Sequence, residues 1–283
     1  MTNYISAKSL NKSFGKFEAL KDVNVTIDKG QIVGLIGSNG AGKTTLINAL
    51  LGLSSYEGEL SVLGLDPHSQ RDELMKEVCF ISDVATLPGW IKVEQAVDFV
   101  GGVHKSFNRE KALGFLSQTS IPLDKKVSKL SKGMVVQLHL ALIMSIDAKI
   151  LVLDEPTLGL DIIYRKTFYD QLLEDYFDEE RTIIITTHQV DEIENILTDV
   201  IFIKDGRIMY DASMDETLDT WKVLEPTNEH IDEARALSPY REKNSLGRTS
   251  LIYKGQDKET LKQFGDVSRL SLSDLFVTLM SGE

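Results

Sequence analysis

The segment "LIGSNGAGKTT", Leu35–Thr45, decides the fold. Within it, Gly37-Ser38-Asn39-Gly40-Ala41-Gly42-Lys43-Thr44 satisfies the pattern G-x-x-x-x-G-K-[ST]. The run leading into it, "QIVGLIG", is apolar and ends in glycine, as expected of a strand buried on both faces. Thr44 to Leu51 then reads as a helix stopped by Gly52. Strand, glycine loop and helix in that order form a phosphate grip. Glycines let backbone N–H groups close around phosphate oxygens, and the helix N-terminus adds positive potential. Lys43 is expected to bridge the β- and γ-phosphates, the Thr44 hydroxyl to ligate Mg²⁺, and Thr45 to line the nucleotide. The ligand read from these residues alone is ATP or GTP.

A second element answers the first. In "ILVLDEP", Ile150–Pro156, four apolar residues predict a buried strand with Asp154 at its tip, placed to hold Mg²⁺ through the metal's water shell. Glu155 follows at once. Two adjacent carboxylates repel each other unless a metal or substrate justifies them, so Glu155 is read as the base that activates water.

Composition narrows the surroundings. The chain has 283 residues, 42% hydrophobic and 26% charged, which suits an ordinary globular protein with a sizeable core. A net charge of −12 argues against a broad nucleic-acid surface, which needs a basic footprint. The one cysteine, Cys79 in "VCFIS", allows no internal disulfide; it fits a reducing cytoplasm and reads as a buried strand thiol. "MTNYISAKSL" has neither the basic start nor the apolar core of a signal peptide. The longest apolar run, Met134–Ile146, is broken by Gln137 and His139 and is shorter than the roughly 20 residues of a membrane span. Any membrane part is expected on another chain.

Strands alternating with helices predict a three-layer α/β core. "YISAKSL" and "ALKDVNVTI" are strand-like, and "VIFIKDGRIMY" reads as a hairpin around Asp205-Gly206. From about Val84 to Asp147 the pattern turns helical, as in an inserted subdomain. A long helix is expected over Asp161–Tyr176, and a strand at "TIIITTH". Residues 222–283 hold nine Lys/Arg and ten Asp/Glu, nearly neutral against an acidic remainder, and read as a small α+β appendage. The expected division is residues 1–220 for the nucleotide-binding part and 221–283 for the appendage.

"KLSKGMVVQL" precedes the second element, "LGLD" (Leu158–Asp161) follows it, and His188 ends "TIIITTH". In that order, over roughly residues 1–215, these elements resemble the ATP-binding subunits of the ABC superfamily. Leu130-Ser131-Lys132-Gly133-Met134 corresponds to the family signature usually written LSGGQ. The resemblance implies a P-loop NTPase three-layer core with an antiparallel β subdomain and a helical insertion, with ATP and Mg²⁺ bound. It implies two such domains pairing head to tail around two ATP molecules, as homodimer or heterodimer. Ser131 and the Gly133 N–H then reach the γ-phosphate held by the partner's P-loop; Ser131 at a helix start is a natural anion site. Asp161 contacts the opposite subunit, His188 supports the γ-phosphate and attacking water, and Phe14 stacks on adenine. For Phe14 the competing reading is a packed strand-end aromatic.

Two departures from the family pattern stand out. Lys132 replaces a glycine, a variation associated with ATPases of export-type membrane subunits; its ammonium either meets the transferred phosphate or points to solvent. Asp83 stands nearest to the usual Gln that senses Mg²⁺ and water. After it, Leu87 and Trp90 around Pro88-Gly89 are either exposed anchors for membrane subunits or packing for the helical block.

The reading that unites these features is the ATPase of an ABC transporter. It is cytoplasmic, peripheral at the inner face of the membrane, and drives export through permease subunits on separate chains. No nucleic-acid partner is expected. The alternative is a non-transport ABC ATPase of translation or DNA repair. Against it stand the single cassette, the acidic balance and the short spacing of 88 positions between Lys43 and Ser131. A small-molecule kinase leaves the signature, Glu155 and His188 unexplained.

Overall fold

A computed structural model describes residues 3–82, 87–245 and 248–281. Its strands are β1 (Asn3–Phe14), β2 (Phe17–Asp28), β3 (Ile32–Ile36), β4 (Glu57–Val62), β5 (Val78–Ile81), β6 (Ile150–Asp154), β7 (Thr182–Thr187), β8 (Asp199–Lys204), β9 (Arg207–Ser213), β10 (Trp221–Pro226), β11 (Arg241–Ser245), β12 (Arg248–Lys254) and β13 (Gly265–Arg269). They form three sheets. The central six-stranded sheet runs β5-β6-β7-β3-β8-β9, parallel except for β9. Antiparallel β2-β1-β4 lies against it, and β11-β12-β10-β13 forms the third sheet.

Side-chain alternation explains why the central strands are apolar throughout. Ile32 and Ile36 of β3, Leu151 and Leu153 of β6, and Ile183 and Ile185 of β7 enter one apolar cluster. Val33 and Leu35, Ile150 and Val152, and Ile184 enter another, shared with β1, β2 and α1 (Lys43–Leu50). Each strand therefore needs an apolar residue at every position. The short α2 (Arg71–Leu74) leads into β5.

The helical block contains α3 (Val93–Val103), α4 (Arg109–Ser117) and α5 (Lys132–Ile143), within the stretch where the sequence pattern turns helical. On α5, Leu138, Ala141 and Leu142 join the block's own cluster with Val93, Val97 and Leu116, while Leu140 joins the main core. A helix held between two cores must be apolar all round, which accounts for the long greasy run without a membrane. No helix among the described residues is long and apolar enough to cross one.

The expected long helix after Asp161 is in fact α6 (Ile162–Gln171) followed by a π-helical turn over Leu172–Tyr176. α7 (Val190–Ile193) follows β7 and α8 (Met214–Thr220) follows β9. In the C-terminal segment, α9 (Ile231–Ala236) and α10 (Lys258–Lys262) cover one face of the third sheet around Leu224, Leu251, Tyr253 and Leu261. The other face, with Trp221 and Ile252, joins the main core together with Leu272 and Leu275 of α11 (Leu272–Met280). The appendage is thus packed onto the molecule rather than strung from it.

Candidate functional site

In a parallel sheet, ligand sites form beyond the carboxyl ends of the strands. Here the ends of β3, β6 and β7 are neighbours: Leu35 is in register with Thr186, and Asp154 with Thr186. The segments leaving those ends are the glycine loop, Asp154-Glu155 and His188.

The loop is cramped by design. A Cβ on Gly37 would lie 2.5 Å from the Ile203 carbonyl oxygen. Gly42 has φ +114°, and a Cβ there would lie 2.9 Å from the Ala19 oxygen. The Ala41 carbonyl accepts from the Gly206 N–H at 2.9 Å, so the β8–β9 hairpin braces the loop from outside. Gly42 is the N-cap of α1, without a side-chain cap and with no acid in the first turn. The first-turn N–H groups thus face the loop with unopposed positive potential.

Lys43 is only 8% exposed. Its Nζ donates to the Gly37 oxygen at 2.6 Å and the Ser38 oxygen at 3.2 Å. Burial pulls its pKa below the usual lysine value, against the pull of Glu155 and Asp154, which favour the cation. Those two carboxylates are therefore its electrostatic neighbours. Thr44 is exposed and Thr45 half-buried at the start of the helix; Ser38, Asn39 and Gly40 are exposed, Ala41 buried.

Asp154 is buried and accepts a hydrogen bond from Thr186 Oγ1. The Glu155 N–H donates to the Thr186 carbonyl at 3.0 Å and to Thr186 Oγ1 at 3.2 Å. Glu155 has φ +49°, a left-handed conformation that a side chain rarely adopts and that collects at functional sites. The bend aims its carboxylate at His188: Oε1 lies 2.9 Å from Nδ1. Thr186 escaped the sequence reading. Its only signal is a polar residue at the end of an apolar run.

The signature falls elsewhere. Ser131 is the N-cap of α5 and accepts from the Met134 N–H at 3.2 Å. Ser131 and Lys132 are exposed, and a Cβ on Gly133 would lie 3.7 Å from the Gly159 oxygen. Asp161 caps α6, accepting from Ile163 and Tyr164 N–H at 3.1 Å. No hydrogen bond among the described residues ties Ser131 or Gly133 to the P-loop of its own chain. Phe14 is 55% exposed and Trp90 75%, so neither is a packed residue, whereas Leu87 is partly buried against the apolar cluster of the helical block. Asp83 lies outside the described residues.

Mg²⁺ needs few protein ligands when phosphates and water supply the rest. No cluster of three or more His, Cys, Asp or Glu able to hold a metal occurs among the described residues. The Thr44 hydroxyl and the Asp154 carboxylate are hard oxygen donors of the kind such an ion takes.

Comparison with known proteins agrees. A family model described as ABC transporter matches residues 20–158. The lantibiotic transport ATP-binding protein SrtF of Streptococcus pyogenes is 33% identical over 221 residues, spanning 75% of this chain and 91% of SrtF. The tungstate uptake system ATP-binding protein TupC of Peptoclostridium acidaminophilum is 28% identical over 212 residues, spanning 72% and 96%. A solved ATP-binding subunit of an ABC transporter superposes with a TM-score of 0.70 at 21% identity, covering 76% of this chain and 91% of that one, which supports the fold. With the phosphate loop, the paired carboxylates and the strand-end histidine assembled at the carboxyl ends of neighbouring strands, the chain belongs to the ATP-binding subunits of ABC transporters and is an ATPase.

Proposed function

We propose that this chain hydrolyses ATP within a head-to-tail pair and drives export through permease subunits on separate chains at the cytoplasmic face of the membrane. The observation that carries the catalytic reading is Glu155, bent by a left-handed backbone onto His188 beside buried Asp154.

The roles follow from position. The triphosphate lies along Gly37–Thr45, adenine on Phe14. Lys43 exchanges the Gly37 and Ser38 carbonyls for β- and γ-phosphate oxygens. Thr44 and Asp154 would hold a Mg²⁺ ion, with Asp83 as a further contact through water, and the ion would supply positive charge against the triphosphate. Glu155 takes a proton from water while His188 holds the γ-phosphate side. The water oxygen bonds to the γ-phosphorus, the bond to the β–γ bridging oxygen breaks, and ADP and phosphate remain. Ser131 and Gly133 of the second copy close over the γ-phosphate, Asp161 touches the opposite subunit, and Lys132 is placed to meet the transferred phosphate. Residues 1–220 form the ATPase, with the helical block at about 84–147, and 221–283 serve pairing or regulation. Trp90 suits contact with the permease.

Export is supported by Lys132 in the signature. Inverted vesicles holding the chain with its permease should move cargo inward on ATP addition; ATP-driven loss of cargo from them argues uptake. The catalytic reading is tested by Glu155→Gln, which keeps size but accepts no proton. Turnover should fall by roughly 10²–10⁴-fold, ATP should still bind, and an ATP-dependent dimer should accumulate in light scattering. Near-normal turnover removes Glu155 as the base.

A further inference from the structure

Arg165 stands on α6, four residues after Asp161. Its Nε donates to the Leu160 carbonyl at 2.8 Å. Its Nη1 donates to Glu192 Oε1 at 2.6 Å and also to Gln189 Oε1. The guanidinium thus joins two loops far apart in sequence. One is the 158–163 segment, where Leu158, Ile162 and Ile163 are exposed, Ile162 at 81%. The other begins at His188, since Gln189 follows it directly and Glu192 lies on α7. Gln189 is fixed again by its N–H, which donates to Thr187 Oγ1 at 2.9 Å.

Two features make this link stiff. A planar guanidinium holds several acceptors in one fixed geometry, which a lysine ammonium does not reproduce. Glu192 Oε2 is buried without a hydrogen-bond partner, so its carboxylate depends on Arg165 for compensation, and breaking a half-buried pair leaves an unbalanced charge. Pressure on the exposed loop would act on the Leu160 carbonyl and α6, and the same guanidinium would pass it to Gln189 and Glu192, beside His188.

We propose that Arg165 is a positioning residue that couples docking of a second copy at the 158–163 loop to the placement of His188 on Glu155. The proposal rests on the catalytic reading of those two residues. In the full chain, Arg165→Met should leave ATP affinity within about twofold while kcat falls roughly 10- to 100-fold. ATP-dependent pairing should persist when Arg165→Met is combined with Glu155→Gln. Arg165→Lys should recover only part of the lost rate. Glu192→Gln removes the charge that balances the guanidinium while the arginine stays in place, so it weakens the same link and tests the proposal even if Arg165→Met folds poorly. The double variant Arg165→Met/Glu192→Gln should turn over no more slowly than Arg165→Met alone. Unchanged kcat in Glu192→Gln, multiplying losses in the double variant, or a parallel fall of affinity and kcat overturns it. Near-normal turnover in Glu155→Gln alone instead overturns the catalytic reading beneath it.

Discussion

His188 Nδ1 lies 2.9 Å from Glu155 Oε1, although the two residues are 33 positions apart and leave different strands. The contact exists because β6 and β7 are adjacent and parallel, with Asp154 opposite Thr186. The strand-end backbone of Glu155 then turns left-handed towards the next strand's exit.

Under the proposed catalytic reading, that pairing lets His188 orient Glu155 and support the γ-phosphate side. His188→Ala should therefore lower kcat roughly 10- to 100-fold, the range expected when a reacting group is misplaced by about an ångström. ATP affinity should hold, since Lys43 and the glycine loop are untouched. A matching rise in KM at constant kcat, read from steady-state ATPase assays, would place His188 in binding instead.

Thr186 anchors both carboxylate residues through one hydroxyl. Thr186→Val keeps shape but removes one donor to buried Asp154. An unsatisfied buried polar group costs about 1–3 kcal/mol, more when charged. Thermal unfolding should shift down accordingly, and the Mg²⁺ concentration for half-maximal turnover should change. An unaltered melting curve and metal dependence would mean Asp154 finds another donor.

The phosphate grip and Asp154-Glu155 stood out in the sequence because phosphate chemistry demands given residue types at given strand and helix ends; the signature and His188 stood out only through their order in the family resemblance. Thr186 and Arg165 did not. Their roles come from register and from contacts across α6 and α7, which a single linear pattern does not encode. Strands β4, β11 and β13 also escaped, since edge strands bury few side chains: β11 reads "REKNS" and buries none. The docking of the appendage was hidden for the opposite reason. "SLIY" is apolar on both faces, with Ile252 serving the main core and Leu251 and Tyr253 the appendage's own.

His139 sits buried on α5, lining a small cavity with Glu155 and Pro156. Burial disfavours its cation and pulls the pKa from 6.5 down to about 4. Between those values the unfolded chain binds more protons than the folded one. Its stabilising contribution is therefore present above pH 6.5 and fades as pH falls through about 4. The full loss should be on the order of 3 kcal/mol. Chemical denaturation of His139→Leu at pH 7 and pH 4.5 should show a smaller acid penalty than the parent chain. Equal penalties would show that His139 ionises freely in the fold.

The packing of residue 221 decides whether the C-terminal segment is separable. Trp221 is 1% exposed and belongs to the same apolar cluster as Phe202 of β8 and Leu153 of β6. Phe276 of α11 packs edge-on against Phe202, with centroids 5.2 Å apart, and Lys204 Nζ donates to the Met280 oxygen at 2.8 Å. The strand beside β3 is thus clasped by the last helix. A chain cut near Thr220 strips this cover and should aggregate or melt far lower, whatever its nucleotide motifs. A milder test is Trp221→Ala, for which core truncation of a large aromatic costs about 3–5 kcal/mol. Because the cluster is shared, calorimetry should show one cooperative transition moving down as a whole, with ATP raising it. Two transitions, of which only one responds to ATP and only the other to Trp221→Ala, would establish an independent appendage.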